Sequence, residues 1–232
     1  TGEQRRRMEA LGFTEFIRTA DGVELELRPG LSVAIHVETS ITDGPGGDSA
    51  IVVSDGVSRI VNQNDCRTTD LAALASHGPV DLHWLQYSGA IWYPMVYEMP
   101  EAEKLDLCRA KVESQGARAM RYVESIGARA IVPSAGPPVF LDRDLAHLNM
   151  IEGDEASIFP DQRWFLERLS ANGHAGILAV PGTTIEVTPS AIDVTHPMSD
   201  SDIDAIFSNK ATYLDAYRAD WAAWLEEQQG SC

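Results

Sequence analysis

The chain has 232 residues, 44% of them apolar and 23% charged. That is long enough to bury a sizeable core and argues against a disordered or membrane-embedded class. Asp and Glu number 35 against 18 Lys and Arg, a formal charge of −17; such a surface repels phosphate backbones and anionic lipid, so neither nucleic acid nor a membrane is an expected partner. Cys66, Cys108 and Cys232 form no CxxC pair or disulfide framework, and no apolar run approaches a membrane span, so a reducing cytoplasm is the expected setting. The sequence opens on Thr1 rather than Met, already close to a helical pattern, and reads as a processed chain or a fragment.

Residues 2–11 carry a helical pattern closed by Gly12. Residues 13–18 read as a short strand, followed by an Asp-Gly turn into a second strand over 23–27 and a third over 31–37. The stretch 39–48 is too rich in Gly, Pro and Asp for regular structure. Residues 49–53 and 57–62 form a hairpin around Asp55-Gly56. From there the pattern alternates in βαβ fashion. A helix capped by Thr68 or Thr69 runs to about 76, and a buried strand covers 80–86. The longest helix covers 101–126, with Leu105, Cys108, Val112, Ala119, Val123 and Ile126 along one face, and a strand follows over 130–132. Helix signals return over 142–148 and 161–171. Residues 177–180 and 184–187 read as a last hairpin across Pro181-Gly182. Residues 201–229 are helical, with Tyr213, Tyr217, Trp221 and Trp224 on one face.

Three polar, Gly-rich segments follow apolar strands, and together they point to one cleft at a sheet edge. The first is Asn62-Gln63-Asn64-Asp65-Cys66. Asp65 there is either a ligand for a hard or borderline cation, oriented by the neighbouring amides, or an Asx turn capping the next helix. Cys66 is a soft ligand or nucleophile, or simply a small buried residue; no nearby His or Lys lowers its pKa. The second segment, Ser88-Gly89-Ala90-Ile91-Trp92-Tyr93-Pro94, offers two aromatics to wall a pocket and the Tyr93 hydroxyl as a donor, or core packing under the long helix. The third is Pro133-Ser134-Ala135-Gly136-Pro137-Pro138. Six histidines occur without His-x-His or His-x-x-x-His spacing, so no local zinc motif exists. His83 lies mid-strand opposite Leu82, where a satisfied structural histidine competes with a functional one, and His36 shares that ambiguity. His174 and His196 read as loop residues. The Gly44-Pro45-Gly46-Gly47-Asp48 loop lacks the Lys of a phosphate loop, and Asp43 and Asp48 would repel phosphate.

The three segments, in this order, resemble the metallo-β-lactamase-fold superfamily, in the branch with CMP-N-acetylneuraminate hydroxylase-like and Rieske-associated bacterial proteins. The resemblance covers most of residues 5–220. It implies an αββα sandwich with a metal cleft at one edge of the sheets. Asp65 matches the metal-bridging aspartate. Ser134 stands where many members carry the last metal-binding histidine, and the 39–49 loop has no counterpart of the middle one. The family's His-x-His-x-Asp-His motif would precede Thr1. A Rieske cluster would need Cys-x-His and Cys-x-x-His segments, which this sequence lacks.

The expectation is an incomplete α/β sandwich of this type over residues 1–195, with a helical extension over 196–232 packing on it. The resemblance implies the downstream part of a metal-dependent hydrolase or hydroxylase acting on a small molecule, with zinc, iron or manganese as the candidate cofactor. Asp65 would serve as metal ligand and catalytic residue and Tyr93 as a second catalytic group, while Asn64, Ser88, Trp92 and Ser134 line the substrate side. The alternative is a non-catalytic domain that binds a ligand or a partner. Its terminal aromatic face is the candidate surface for a homo-oligomer or a partner chain.

Overall fold

In the computed structural model, which describes residues 2–38, 47–89, 91–134, 136–149 and 157–230, the apolar segments between residues 25 and 64 form an antiparallel meander. Its strands are β1 (Leu25–Arg28), β2 (Leu31–Val37), β3 (Ser49–Ser54) and β4 (Arg59–Asn64). The β3–β4 turn is held by the Asp55 carboxylate, which accepts from the backbone N–H groups of Val57 and Ser58 at 2.9 and 2.7 Å. Pairing then changes sense. Strands β5 (Leu82–Gln86) and β6 (Ala130–Ser134) lie parallel to β4, in the sheet order β1-β2-β3-β4-β5-β6. Parallel neighbours require crossovers rather than tight turns. The short helix α2 (Leu71–Ala75) supplies the first and the long helix α3 (Glu101–Ile126) the second.

Alternation along β5 and β6 assigns the two faces. Leu85, Tyr87 and Ile131 pack with Ala119, Met120 and Val123 of α3 and with Phe165 and Leu169 of α4 (Gln162–Ala171). Tyr87 stacks on Phe165 at 5.5 Å, and its hydroxyl donates to the Pro160 carbonyl at 2.9 Å. Full burial of rings of this size contributes on the order of 2–3 kcal/mol each. On the other face Leu82, Ala130 and Val132 meet Ile185, Val187 and Ile192 of a separate two-stranded sheet, β7 (Thr184–Val187) with β8 (Ile192–Thr195). The protein is thus α/β, with helices on one face of the main sheet and a small second sheet on the other. Two terminal helices follow, α5 (Asp200–Ser208) and α6 (Lys210–Gly230).

Several expectations shift. Residues 13–18 are not a strand and pair with none among the described residues; Phe16 lies against Arg5 of α1 (Gly2–Ala10), which buries no residue. The cap of α2 is Asp70, whose carboxylate accepts from Ala73 N–H, rather than Thr68 or Thr69; Thr68 instead accepts from Asp70 N–H. The helix signal over 142–148 yields only a 3₁₀ turn at Ala146–Asn149, because the Asn149 amide bonds to both backbone groups of Phe140 and pulls that segment into a loop. The last hairpin uses Ile192–Thr195, not 177–180. Ile177 donates its N–H to the Ile131 carbonyl, which draws that stretch along β6 instead. The 201–229 helix breaks at Asn209 into α5 and α6. The 39–46 part of the Gly-rich loop, with Asp43, and Cys232 lie outside the described residues.

His83 is fully buried among the strands, facing the helices, and its Nε2 lies 2.9 Å from the Gln63 side-chain oxygen. Gln63 spends its amide N–H on the Cys66 carbonyl at 3.0 Å, so His83 is the Nε2–H tautomer, with a buried Nδ1 that has no partner among the described residues. This is the structural role. His36 is also buried, 2.8 Å from His77 Nε2.

Burial pushes the His83 imidazole down to about 3. Burial, then the His77 charge, also lowers His36. In the unfolded chain both titrate near ~6.5, so the folded state binds fewer protons below that pH. Their contribution is fully present above about pH 6.5 and is lost as pH falls toward the folded values. Urea midpoints should therefore decline below about pH 6.5, with His83 adding up to about 1.4 kcal/mol per pH unit to the slope. His83→Gln should flatten that slope; an unchanged slope would mean that His83 does not stay neutral in the fold. A second expectation concerns packing. A Cβ on Gly116 would stand 2.5 Å from the Trp164 ring, where α3 meets α4. Gly116→Ala should lower stability by about 1–3 kcal/mol in urea titrations, despite the better helix propensity of Ala.

Candidate functional site

Because β4, β5 and β6 run parallel, their carboxyl ends share one edge, and the three polar segments singled out in the sequence meet there. The register between β4 and β5 slips between Asn62 and Asn64, and Asn64 has φ +33°, a left-handed conformation that asparagine tolerates better than most residues. This bulge turns the chain outward at Asp65. Gln63 closes the turn from inside: its carbonyl accepts from Cys66 N–H at 2.8 Å while its side chain binds the Cys66 carbonyl. Glu38, buried at the end of β2, accepts from Arg67 N–H at 3.0 Å and from Asp48 N–H at 3.2 Å. The loop after Asp65 is therefore tied to two neighbouring strands.

Asp65, Gln86, Gly89, Trp92, Gly136, Pro137, Pro138 and Phe159 line an open cleft of about 400 Å³. The Asp65 carboxylate accepts from the Gln86 amide. Ser134 donates to the Asn64 side-chain oxygen at 2.7 Å, which links the ends of β4 and β6. Ser88 is fully buried, and its hydroxyl has no partner among the described residues; a Cβ on Gly136 would lie 2.6 Å from that oxygen. Gln115 of α3 sits behind Gly89, where a Cβ would come within 2.2 Å of its amide nitrogen, and its side-chain oxygen is buried without a partner among the described residues. Lys111, one turn earlier, donates to the carbonyls of Ile91 (2.8 Å) and Tyr93, pinning the aromatic loop to α3.

Of the sequence-proposed residues, Asp65 and Trp92 line the cleft directly, and Trp92 packs edge-on against Phe140 at 5.0 Å. Asn64, Ser88 and Ser134 stand immediately behind the lining. Tyr93 is on the same loop but outside the lining: it is 41% exposed and packs edge-on against Tyr97. Ala90 and Ala135 lie outside the described residues. Cys66 is buried, and burial raises its thiol pKa, so it stays a protonated packing residue. Sequence reading gave no site role to Gln86, Gln115 or Phe159. Gln115 left a signal: it continues the apolar series Cys108, Val112 and precedes Ala119, a polar side chain on the buried face of an amphipathic helix.

The donor set does not by itself make a metal centre. Asp65 is the one ionisable side chain among the described lining residues, and no group of three or more His, Cys, Asp or Glu among the described residues is placed to hold a metal ion. A catalytic zinc takes about three protein ligands plus an open position. Among the described residues no helix is long and apolar enough to cross a membrane.

No family model matches the chain. A protein of Mycolicibacterium smegmatis named "Putative Rieske 2Fe-2S iron-sulfur protein" is 46% identical over 220 residues, which cover 92% of this chain and 42% of that protein. A Mycobacterium tuberculosis protein of the same name is 44% identical over 232 residues, covering 97% of this chain and 45% of its own length. The chain therefore spans less than half the length of the curated relatives it matches. Among solved structures, CmlA, a diiron β-hydroxylase from Streptomyces venezuelae, is 14% identical with a TM-score of 0.45, over 75% of this chain and 34% of that one. Igni18, a metallo hydrolase from Ignicoccus hospitalis, is 14% identical with a TM-score of 0.45, over 84% and 67%. At that TM-score and identity, neither likeness carries an inference about this chain.

The contact between Gly136 and Ser88 gives a direct test of the cleft floor. Gly136→Ala should destabilise the protein by about 1–3 kcal/mol, because the short serine side chain cannot yield. Ser88→Ala removes the clashing oxygen, and the next nearest atom, the Ser88 Cβ, is 3.8 Å away. In a double-mutant cycle Ser88→Ala should restore most of the loss; additive effects would disprove the contact.

Proposed function

We propose that this chain is the downstream portion of a metallo-β-lactamase-type, metal-dependent hydrolase or hydroxylase, and that the Asp65 cleft is its share of the active site. The observation that carries the reading is convergence. Three separate polar strand ends, one from each parallel strand, meet at a single cleft with one carboxylate in it. The relatives' length supports the rest, since they hold more than twice the sequence matched here and have room for further ligands. In this reading Asp65 gives one metal ligand, oriented by the Gln86 amide as metal-bound carboxylates are. The metal, when bound, would polarise or activate an oxygen ligand.

The chain's own residues do the holding. Trp92, Phe159, Pro137 and Pro138 give apolar walls for a small molecule. Asn64, Ser134 and Ser88 supply hydrogen-bonding groups behind the lining, and Tyr93, beside Trp92, is the proposed proton donor at its rim. A Rieske centre takes two cysteines and two histidines, and the sequence has no Cys-x-His or Cys-x-x-His segment. Cluster ligands of the kind the relatives' name implies therefore belong, in this proposal, to the portion beyond the match. The second reading, a non-catalytic ligand-binding domain, draws on the lack of a three-ligand group among the described residues.

Metal analysis of the intact gene product separates the two. The enzyme reading expects stoichiometric zinc, iron or manganese, with at least one metal ion lost on Asp65→Ala while the fold, followed by circular dichroism, is kept. An intact product that purifies and reconstitutes without metal, or that keeps its full complement after Asp65→Ala, would leave the ligand-binding domain as the better description.

A further inference from the structure

Helix α6 is anchored to the body near its start, and its described side chains are exposed beyond. Leu214 is 3% exposed, and the Arg218 guanidinium donates to the Leu141 carbonyl at 2.5 Å. From Ala219 to Gln228 every described side chain is exposed. Tyr213, Tyr217, Trp221 and Trp224 recur at spacings of four, four and three, so they form one stripe about 16 Å long at ~1.5 Å per residue. Each ring is 42–47% exposed. Among the described residues they stack on one another: Tyr213 on Tyr217 at 6.3 Å with planes 2° apart, and Trp221 on Trp224 at 4.7 Å. Four large aromatics in a continuous exposed row mark a binding surface rather than scattered surface apolar residues, and tryptophan and tyrosine dominate interface energetics.

The surroundings of the stripe limit what can cover it. Helical geometry puts Asp220 and Glu227 along one flank of the row. The whole chain carries a formal charge of −17. A second copy would bring like charge against like charge, whereas a partner with Lys or Arg beside an apolar groove would complement both features. The curated relatives supply a candidate of the right size, because more than half of their length lies outside the match.

We propose that the α6 stripe docks in an apolar, basic-rimmed groove on the remaining portion of a longer protein, and so holds that portion against this one. The proposal rests on the reading of this chain as part of a longer protein, not on the chemistry of the Asp65 cleft, and it has its own readout.

Hydrogen exchange of the 219–228 amides tests it, comparing the intact gene product with this chain alone. In the intact product exchange should slow by roughly tenfold or more, because opening the helix then also breaks the interface. A Trp221→Ala/Trp224→Ala double variant of the intact product should return exchange to the rate of the same variant made in this chain alone, leaving metal content at the Asp65 cleft unchanged. Equal exchange in wild-type chain and intact product would overturn the proposal. So would a concentration-dependent dimer of this chain, seen by sedimentation and abolished by the double variant, since a second copy would then be the occupant. Failure of metal binding with protection intact would strike the enzyme reading and spare this one.

Discussion

The parallel alignment of β4, β5 and β6 is the constraint on which the rest of the structure depends. Parallel strands cannot be joined by hairpins, so α2 and α3 must carry the chain back across the sheet, and every return starts a strand at the same edge. The opposite edge then collects the carboxyl ends of all three strands. Residues distant in sequence, Asp65, Gln86 to Gly89, and Ser134 to Pro138, become neighbours through that geometry alone. The antiparallel strands β1 to β3 extend the sheet but deliver no residue to the lining of this cleft.

Buried polar groups keep the edge in place. Gln63 joins the turn before Asp65 to His83 in the next strand, and Glu38 reaches from β2 to the backbone after Asp65. Such groups stabilise only when their hydrogen bonds are made, and an apolar substitute would leave the partner unsatisfied. Ser88 and Gln115 are different: both are buried, and one oxygen of each lacks a partner among the described residues. Both lie against glycines of the cleft, Gly136 and Gly89, where any larger residue would collide. The cleft is thus built on close approach, with a polar layer just under its surface.

The two ends of the chain behave unlike its middle. α1 buries nothing, and the described side chains of α6 beyond Ala219 are exposed. Their apolar side chains, such as Leu11 and Phe13 in one and Trp221 and Trp224 in the other, are exposed, while the central sheet is well covered on both faces. An acidic surface keeps such a molecule dispersed in water without hiding these patches.

The sequence by itself determined the elements whose signals are local. The 101–126 helix, the β2 span and the hairpin around Asp55-Gly56 could be read because side-chain periodicity and turn chemistry act over a few residues. It also marked all three polar strand ends, since Gly, Ser, Asn and Asp after an apolar run are locally unusual. Where long-range contacts compete, the local signal failed. Residues 13–18 have strand-like composition but pair with no strand among the described residues, residues 177–180 were drawn along β6, and Asn149 turned a helical stretch into a loop. The expectation that these ends share one cleft is met, but only the tertiary structure decided that Gln86 holds Asp65 and that Tyr93 stands outside the lining. It also chose between the two readings of Cys66: the turn that Gln63 closes after Asn64 buries the thiol and leaves the adjacent Asp65 carboxylate in the cleft.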